Sequence, residues 1–190
     1  MEFFLREINP QPLGKILDVG GTPYNWNLIG YKNEVVLLNI LPHEGVPEAN
    51  NFIFVTGDGT NLEYSDNQFD IVFSNSVIEH VGSYQKQKDF ARELCRVGTK
   101  IWLQTPAREF FFEPHYVTPF IHWLPKTWQK RLLRNFSFWG IIARPSRDYI
   151  DAFVDQTRLL GYEEMVEFFP GKRIIREKFL FMTKAYIVTN

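Results

Sequence analysis

The 190 residues are enough for one domain with a full hydrophobic core, and 45% hydrophobic against 23% charged residues excludes a disordered chain. A formal net charge of -1 excludes whole-molecule attraction to nucleic acid or anionic lipid. The single cysteine, Cys95, excludes an internal disulfide and leaves any zinc site to histidine and carboxylate, so a reducing cytoplasm is the expected setting.

MEFFLREINP, at the N-terminus, mixes acids among its apolar residues and is not expected to be a signal peptide. No apolar run reaches the roughly 18 residues that span a bilayer. In KILDVGGTPYNW, Ile16, Leu17 and Val19 predict a buried strand over residues 15–19, halted by Gly20 and Gly21. Asp18 is costly to bury alone, so it is expected to face a ligand or a backbone amide at the strand's carboxyl end. A brief helix over 25–29 precedes Gly30. Val35, Val36, Leu37 and Leu38 form a second strand ending at Asn39, with Pro42 blocking continuation. Neither run alternates polar with apolar residues, as expected of parallel strands covered on both faces.

A third strand, 51–55, stops at Gly57, Asp58 and Gly59. A fourth, Ile71, Val72 and Phe73, ends at Ser74 and Asn75. Phe90, Leu94 and Val97 predict a surface helix over 84–97 that ends at Gly98, and a fifth strand, 100–104, closes at Pro106. From 106 to 147 aromatics, prolines and bases replace this alternation. A helix over 148–160, capped by Gly161, then leads to strands over 162–169 and 179–188. With no helix between them, these two predict an antiparallel pair at the sheet edge. The expected fold is α/β: one domain over 1–190, with a doubly wound, seven-stranded, mostly parallel sheet, an antiparallel edge strand, and a helical, aromatic lid insert at about 106–147.

Asp18, Asn39 and Asp58 end successive strands, so in such a sheet they share one rim and are able to face one extended ligand. Each is also a favoured turn or helix-cap residue. With these residues in place, the chain resembles the class I S-adenosylmethionine-dependent methyltransferases of the type 11 group, whose fold is Rossmann-like. The resemblance runs from about residue 15 to 104. It rests on ILDVGG at 16–21, TGDGTNLEYSDNQFDIVFSNSVIEHV at 56–81 and RELCRV at 92–97, in that order and spacing.

The resemblance implies S-adenosylmethionine as cofactor, with Asp18, Gly20 and Gly21 beside its amino acid part and Asn39 at the ribose hydroxyls. Asp58 is implied at the adenine amino group with Gly59 and Thr60 beside it, and Asn75 under the sulfonium. Two departures stand out. Thr22, Pro23 and Tyr24 follow the glycines where the family has further glycines, and proline offers one donor fewer. Asn39 stands where the family usually has an acid, whose charged hydrogen bonds are stronger. Both predict weaker cofactor binding.

FEPHYVTPFIHWLP, at 112–125, resembles a segment of methyltransferases of bacterial polysaccharide and glycolipid biosynthesis. Glu113, His115 and His122 offer either a general base for a hydroxyl acceptor or a metal site; without a cysteine cluster or HExxH helix, no metal is expected. His80 is a second candidate base, or else a hydrogen-bonding residue of the fold. The bases Arg108, Lys126, Lys130, Arg131, Arg134, Arg144 and Arg147, interleaved with Phe and Trp, read in two ways. Either the insert is a lid with its own aromatic core and solvated bases, or it makes peripheral membrane contact or grips a phosphate-bearing substrate.

The leading expectation is methyl transfer to a small or lipid-linked acceptor, such as a sugar hydroxyl, catalysed with His80 and His115. The alternative is an inactive binding or scaffold protein of the same fold. No nucleic-acid partner is expected, and GGTPYN does not fit a nicotinamide dehydrogenase.

Overall fold

The computed structural model describes residues 1–11, 13–42 and 51–190. Helix α1 (Glu2–Ile8) precedes β1 (Ile16–Val19), whose four residues are all buried because the strand is covered on both faces. Pro23 occupies the first turn of α2 (Pro23–Leu28), where its missing N–H has no helical partner to lose. The departure from a glycine-rich loop is thus accommodated as a helix start. β2 (Val35–Asn39), β3 (Phe52–Thr56), β4 (Phe69–Asn75) and, after α3 (Tyr84–Val97), β5 (Gly98–Pro106) join β1 in parallel.

The insert holds the short antiparallel pair β6 (Phe112–Glu113) and β7 (Thr118–Pro119), then α4 (Lys126–Phe136), α5 (Phe138–Ala143) and α6 (Arg147–Gln156). Helix α7 (Tyr162–Phe168) leads to the hairpin β8 (Arg173–Phe179) and β9 (Met182–Thr189). The main sheet has seven strands in the order β3-β2-β1-β4-β5-β9-β8. β9 runs antiparallel to both of its neighbours, with β8 outside it.

Two expectations at the C-terminal end need correction. The segment expected as a strand over 162–169 forms the helix α7 up to Phe168, because Met165 and Phe168 are buried at a three-residue spacing and Gly161 caps the helix start instead of ending the helix before it. The antiparallel pair is the tight hairpin β8–β9, so the strand expected over 179–188 begins at Met182 and its partner lies over Arg173–Phe179.

Side-chain alternation along the sheet divides the core. Leu17, Val19, Leu38, Val72 and Leu103 pack against Phe90, Ala91 and Leu94 of α3 and Met165 of α7. Ile16, Val35, Leu37, Phe73 and Trp102 face Phe4 of α1 and Trp26 of α2. Phe4, Trp26 and Phe73 meet edge to face with centroids 5.1 to 5.8 Å apart, the preferred aromatic geometry. A third cluster, Tyr116, Ile121, Leu133, Ile150 and Val154, is the insert's own core. Among the described residues, no helix is long and apolar enough to cross a membrane.

Candidate functional site

A cleft of about 460 Å³ opens at the carboxyl ends of β1, β2 and β3, within the ~300–1,000 Å³ range of small-ligand sites. Strand order reverses there: β2 and β3 lie to one side of β1, β4 and β5 to the other. Gly20, Asn39, Asp58, Gly59, Thr60 and His80 line the cleft, together with Val77, Lys86, Phe90 and Gln156.

Local structure explains the glycines. Gly20 has φ +80°, and an added Cβ would come within 2.4 Å of Val77. At Gly59 a Cβ would lie 2.5 Å from the Phe90 ring, so glycine lets this loop lie against α3. Arg96, near the end of α3, donates to the carbonyls of Leu62 and Tyr64 and anchors the same loop. Asp58 Oδ1 accepts from Thr60 N and Oγ1, both at 2.8 Å, which leaves Oδ2 for a ligand. The bond from the Thr60 amide, with the charge of Lys86, holds the Asp58 carboxyl below its ordinary value, so it is an anion at the cleft. Asn39 Nδ2 donates to Gly21 O at 2.6 Å and thereby ties the rim of β2 to the glycine turn.

Asp18 departs from expectation. Strand alternation turns it toward the Trp26 face, where it is fully buried and does not line the cleft. Its Oδ2 accepts from Trp26 Nε1 at 2.7 Å, and Oδ1 has no hydrogen-bond partner among the described residues. Burial pushes this carboxyl up to about 7 against the lowering effect of the indole bond. Gly21 packs directly on the Asp18 carboxyl, behind the cleft lining. Asn75 is exposed at the end of β4, opposite Gln104 of β5, and also does not line the cleft.

The two candidate histidines, 35 residues apart in sequence, come together with Nε2 atoms 3.1 Å apart. His80 sits in a 3-10 turn, Ile78–His80, pinned by Gln87 to the carbonyls of Ile78 and Arg158 and by the bond from Arg158 N to Glu79 O. His115 follows β6, and its Nδ1 lies 2.6 Å from Glu113 Oε1. Glu79, fully buried, has Oε2 bonded to Thr105 Oγ1 at 2.9 Å and Oε1 3.8 Å from His115 Nε2.

Burial raises Glu79 to about 7 and lowers His80 to about 4, so His80 is neutral near pH 7. Burial also acts to lower His115, but its bond to Glu113 and the surrounding carboxylate charge outweigh that and raise it. The sequence reading missed Glu79, although its place beside His80 in IEH was a signal; Thr157, whose Oγ1 is 3.4 Å from His80 Nδ1, gave none.

A second depression, about 340 Å³, lies between the insert and the segment after α6. Arg108, Glu113, His122, Lys126, Gln129, Thr157 and Arg158 set hydrogen-bonding groups into a wall that Tyr116, Leu124, Pro125 and Leu159 make largely apolar. His122 stands apart from the histidine pair, its Nε2 3.2 Å from Arg108 O. His80 faces the cleft while Glu113 and Thr157 face the depression, so the chain of contacts through His115 forms the partition between them.

Residues 26–100 match the family model described as a methyltransferase domain. Among solved structures, a protein from Pyrococcus horikoshii aligns with TM-score 0.60 at 16% identity over 99% of this chain and 85% of its own. A SAM-dependent methyltransferase from Methanosarcina mazei gives TM-score 0.52 at 16% identity, over 94% of this chain and 92% of its own. Another, from Aquifex aeolicus, gives 0.50 at 15% identity over 99% and 87%. No curated protein matches the chain.

Proposed function

We propose that the chain is an S-adenosylmethionine-dependent methyltransferase that methylates a hydroxyl of a small polar acceptor, a sugar or lipid-linked saccharide; the match of residues 26–100 to a methyltransferase domain and the shared fold of its structural neighbours support this reading. The observation that carries this reading is the partition of His80, His115, Glu79 and Glu113 between a strand-end cleft and a depression beneath the insert that mixes apolar and hydrogen-bonding groups. S-adenosylmethionine supplies a methyl group already activated by its sulfonium charge.

On this reading Gly20, Asn39, Asp58, Gly59 and Thr60 hold the cofactor: the Asp58 carboxylate accepts from an exocyclic amine, and the Asn39 amide serves a diol. Asp18 and Gly21 shape the turn from behind. The depression takes the acceptor, aligned so that its hydroxyl meets the partition. The buried histidine and carboxylate groups there take up the hydroxyl proton. A lipid-linked acceptor is supported by the outer face of the insert, where Arg134, Ile141, Arg144 and Arg147 line one depression beside the exposed Phe136, Phe138 and Ile142.

The test is to incubate the chain with methyl-labelled S-adenosylmethionine and a panel of free, nucleotide-linked and lipid-linked sugars. Label is expected in a methyl ether located by mass spectrometry. Label appearing only on amines or carboxylates of control acceptors would overturn the hydroxyl assignment.

A further inference from the structure

Three ligand-type atoms, His80 Nε2, His115 Nε2 and Glu79 Oε1, converge at the partition. A carboxylate has no proton to give, so the 2.6 Å contact of Glu113 Oε1 fixes the N–H of His115 on Nδ1 and leaves its Nε2 as a lone pair. Thr157 Oγ1 donates to Phe153 O at 2.8 Å, an arrangement in which the His80 ring donates from Nδ1 in the 3.4 Å contact. That makes His80 Nε2 a second lone pair, 3.1 Å from the first. The third is Glu79 Oε1, buried, without a hydrogen-bond partner among the described residues, and 3.8 Å from His115 Nε2. Acceptors gathered this closely in a buried site repel one another unless a cation sits among them.

We propose that Glu79, His80 and His115 bind a divalent transition-metal ion. One ligand atom from each lies within 4.8 Å of the others. Ligands about 2.1 Å from a tetrahedral ion stand about 3.4 Å apart, and the observed 3.1 and 3.8 Å bracket that value. Two imidazoles and one carboxylate suit zinc and its first-row neighbours and leave a coordination position open. Glu113 is then a positioning residue, the carboxylate behind a ligating histidine that sets its tautomer and ring orientation.

The ion itself does not depend on the proposed methyl transfer. Its role does: an acceptor oxygen at the open position would lose its proton more easily beside a divalent charge. Protons are the competing occupants: one on His115 Nε2 directed at His80 and one on the Glu79 carboxyl would satisfy the same three atoms without an ion.

The test uses the untagged chain stripped with a chelator, titrated with Co²⁺ by visible absorption, competed with Zn²⁺, and followed by thermal unfolding. One Co²⁺ per chain with the intense absorption of a tetrahedral site, displaced by Zn²⁺, and a higher unfolding temperature with Zn²⁺ are expected. His80→Ala and His115→Ala should abolish both signals, and Glu113→Gln should weaken Co²⁺ binding about tenfold to hundredfold. A folded wild-type chain that gives neither signal with excess metal overturns the proposal in favour of the protons. Unchanged binding in both histidine variants overturns it by placing the ion elsewhere. Should a variant fail to fold, as circular dichroism reports, the wild-type titration decides alone. Calorimetry with S-adenosylhomocysteine on the stripped chain separates the two readings: lost cofactor binding sinks the methyl-transfer reading and leaves the metal titration standing.

Discussion

Trp26 Nε1 donates to Asp18 Oδ2 at 2.7 Å, so the acid of the first strand is held by an indole on the helical face of the sheet and not by the cleft. One oxygen of a fully buried carboxyl is thus partnered and the other, among the described residues, is not, which is why its proton is held up to about 7.

That relationship sets a pH dependence. A carboxyl raised from 3.8 to about 7 on folding binds its proton more tightly in the folded chain, so the folded state is favoured at low pH and loses stability as pH rises across that interval. The loss from this group is on the order of 4 kcal/mol across the interval and levels off above it. Urea midpoints measured at about pH 5 and about pH 8 should show it, and Asp18→Asn should reduce the difference, leaving the part that Glu79, also raised to about 7 by burial, contributes with the same sign. An unchanged slope in Asp18→Asn would assign the dependence to another residue.

Gly21→Ala tests the packing behind the turn. An added Cβ would sit 1.9 Å from Asp18 Cγ, a clash that only a shift of the turn relieves, so a loss of about 1–3 kcal/mol is expected. Gly30→Ala is the control: with φ +62° and nothing within 4 Å it carries only backbone strain, about 1 kcal/mol. Equal losses in denaturant unfolding would contradict this ranking.

Asp58→Ala removes a charged acceptor from the cleft and the anchor for Thr60 N and Oγ1. S-adenosylhomocysteine affinity should fall by about 1–3 kcal/mol in calorimetry. Unchanged affinity would move the adenine site elsewhere.

Leu133→Ala probes the insert alone. Leu133 is fully buried in the insert's own cluster, so its truncation should cost about 2–5 kcal/mol there. Acceptor methylation should drop while S-adenosylhomocysteine affinity stays within twofold, since no residue of that cluster lines the cofactor cleft. Parallel loss of both would join the insert to the cofactor site.

The sheet was legible because the apolar runs at Ile16–Val19, Val35–Asn39 and Phe69–Asn75 are continuous, as strands buried on both faces must be. Asn39, Asp58, Gly59 and Thr60 were legible as neighbours for the same reason: parallel strands deliver their carboxyl ends to one rim. The segment over 162–169 misled because Gly161 and the aromatics around it suit a strand boundary as well as a helix start. Its helical nature shows only where Met165 and Phe168 are buried together.

The sequence by itself determined the five parallel strands and the rim where their carboxyl ends meet, since local periodicity and turn chemistry act over a few residues. Only the tertiary structure decided which way Asp18 faces, since strand alternation relative to Trp26 is set by packing. It alone also brought Glu79 and His80 against Glu113 and His115, because contacts across that span depend on how the insert folds back over the sheet.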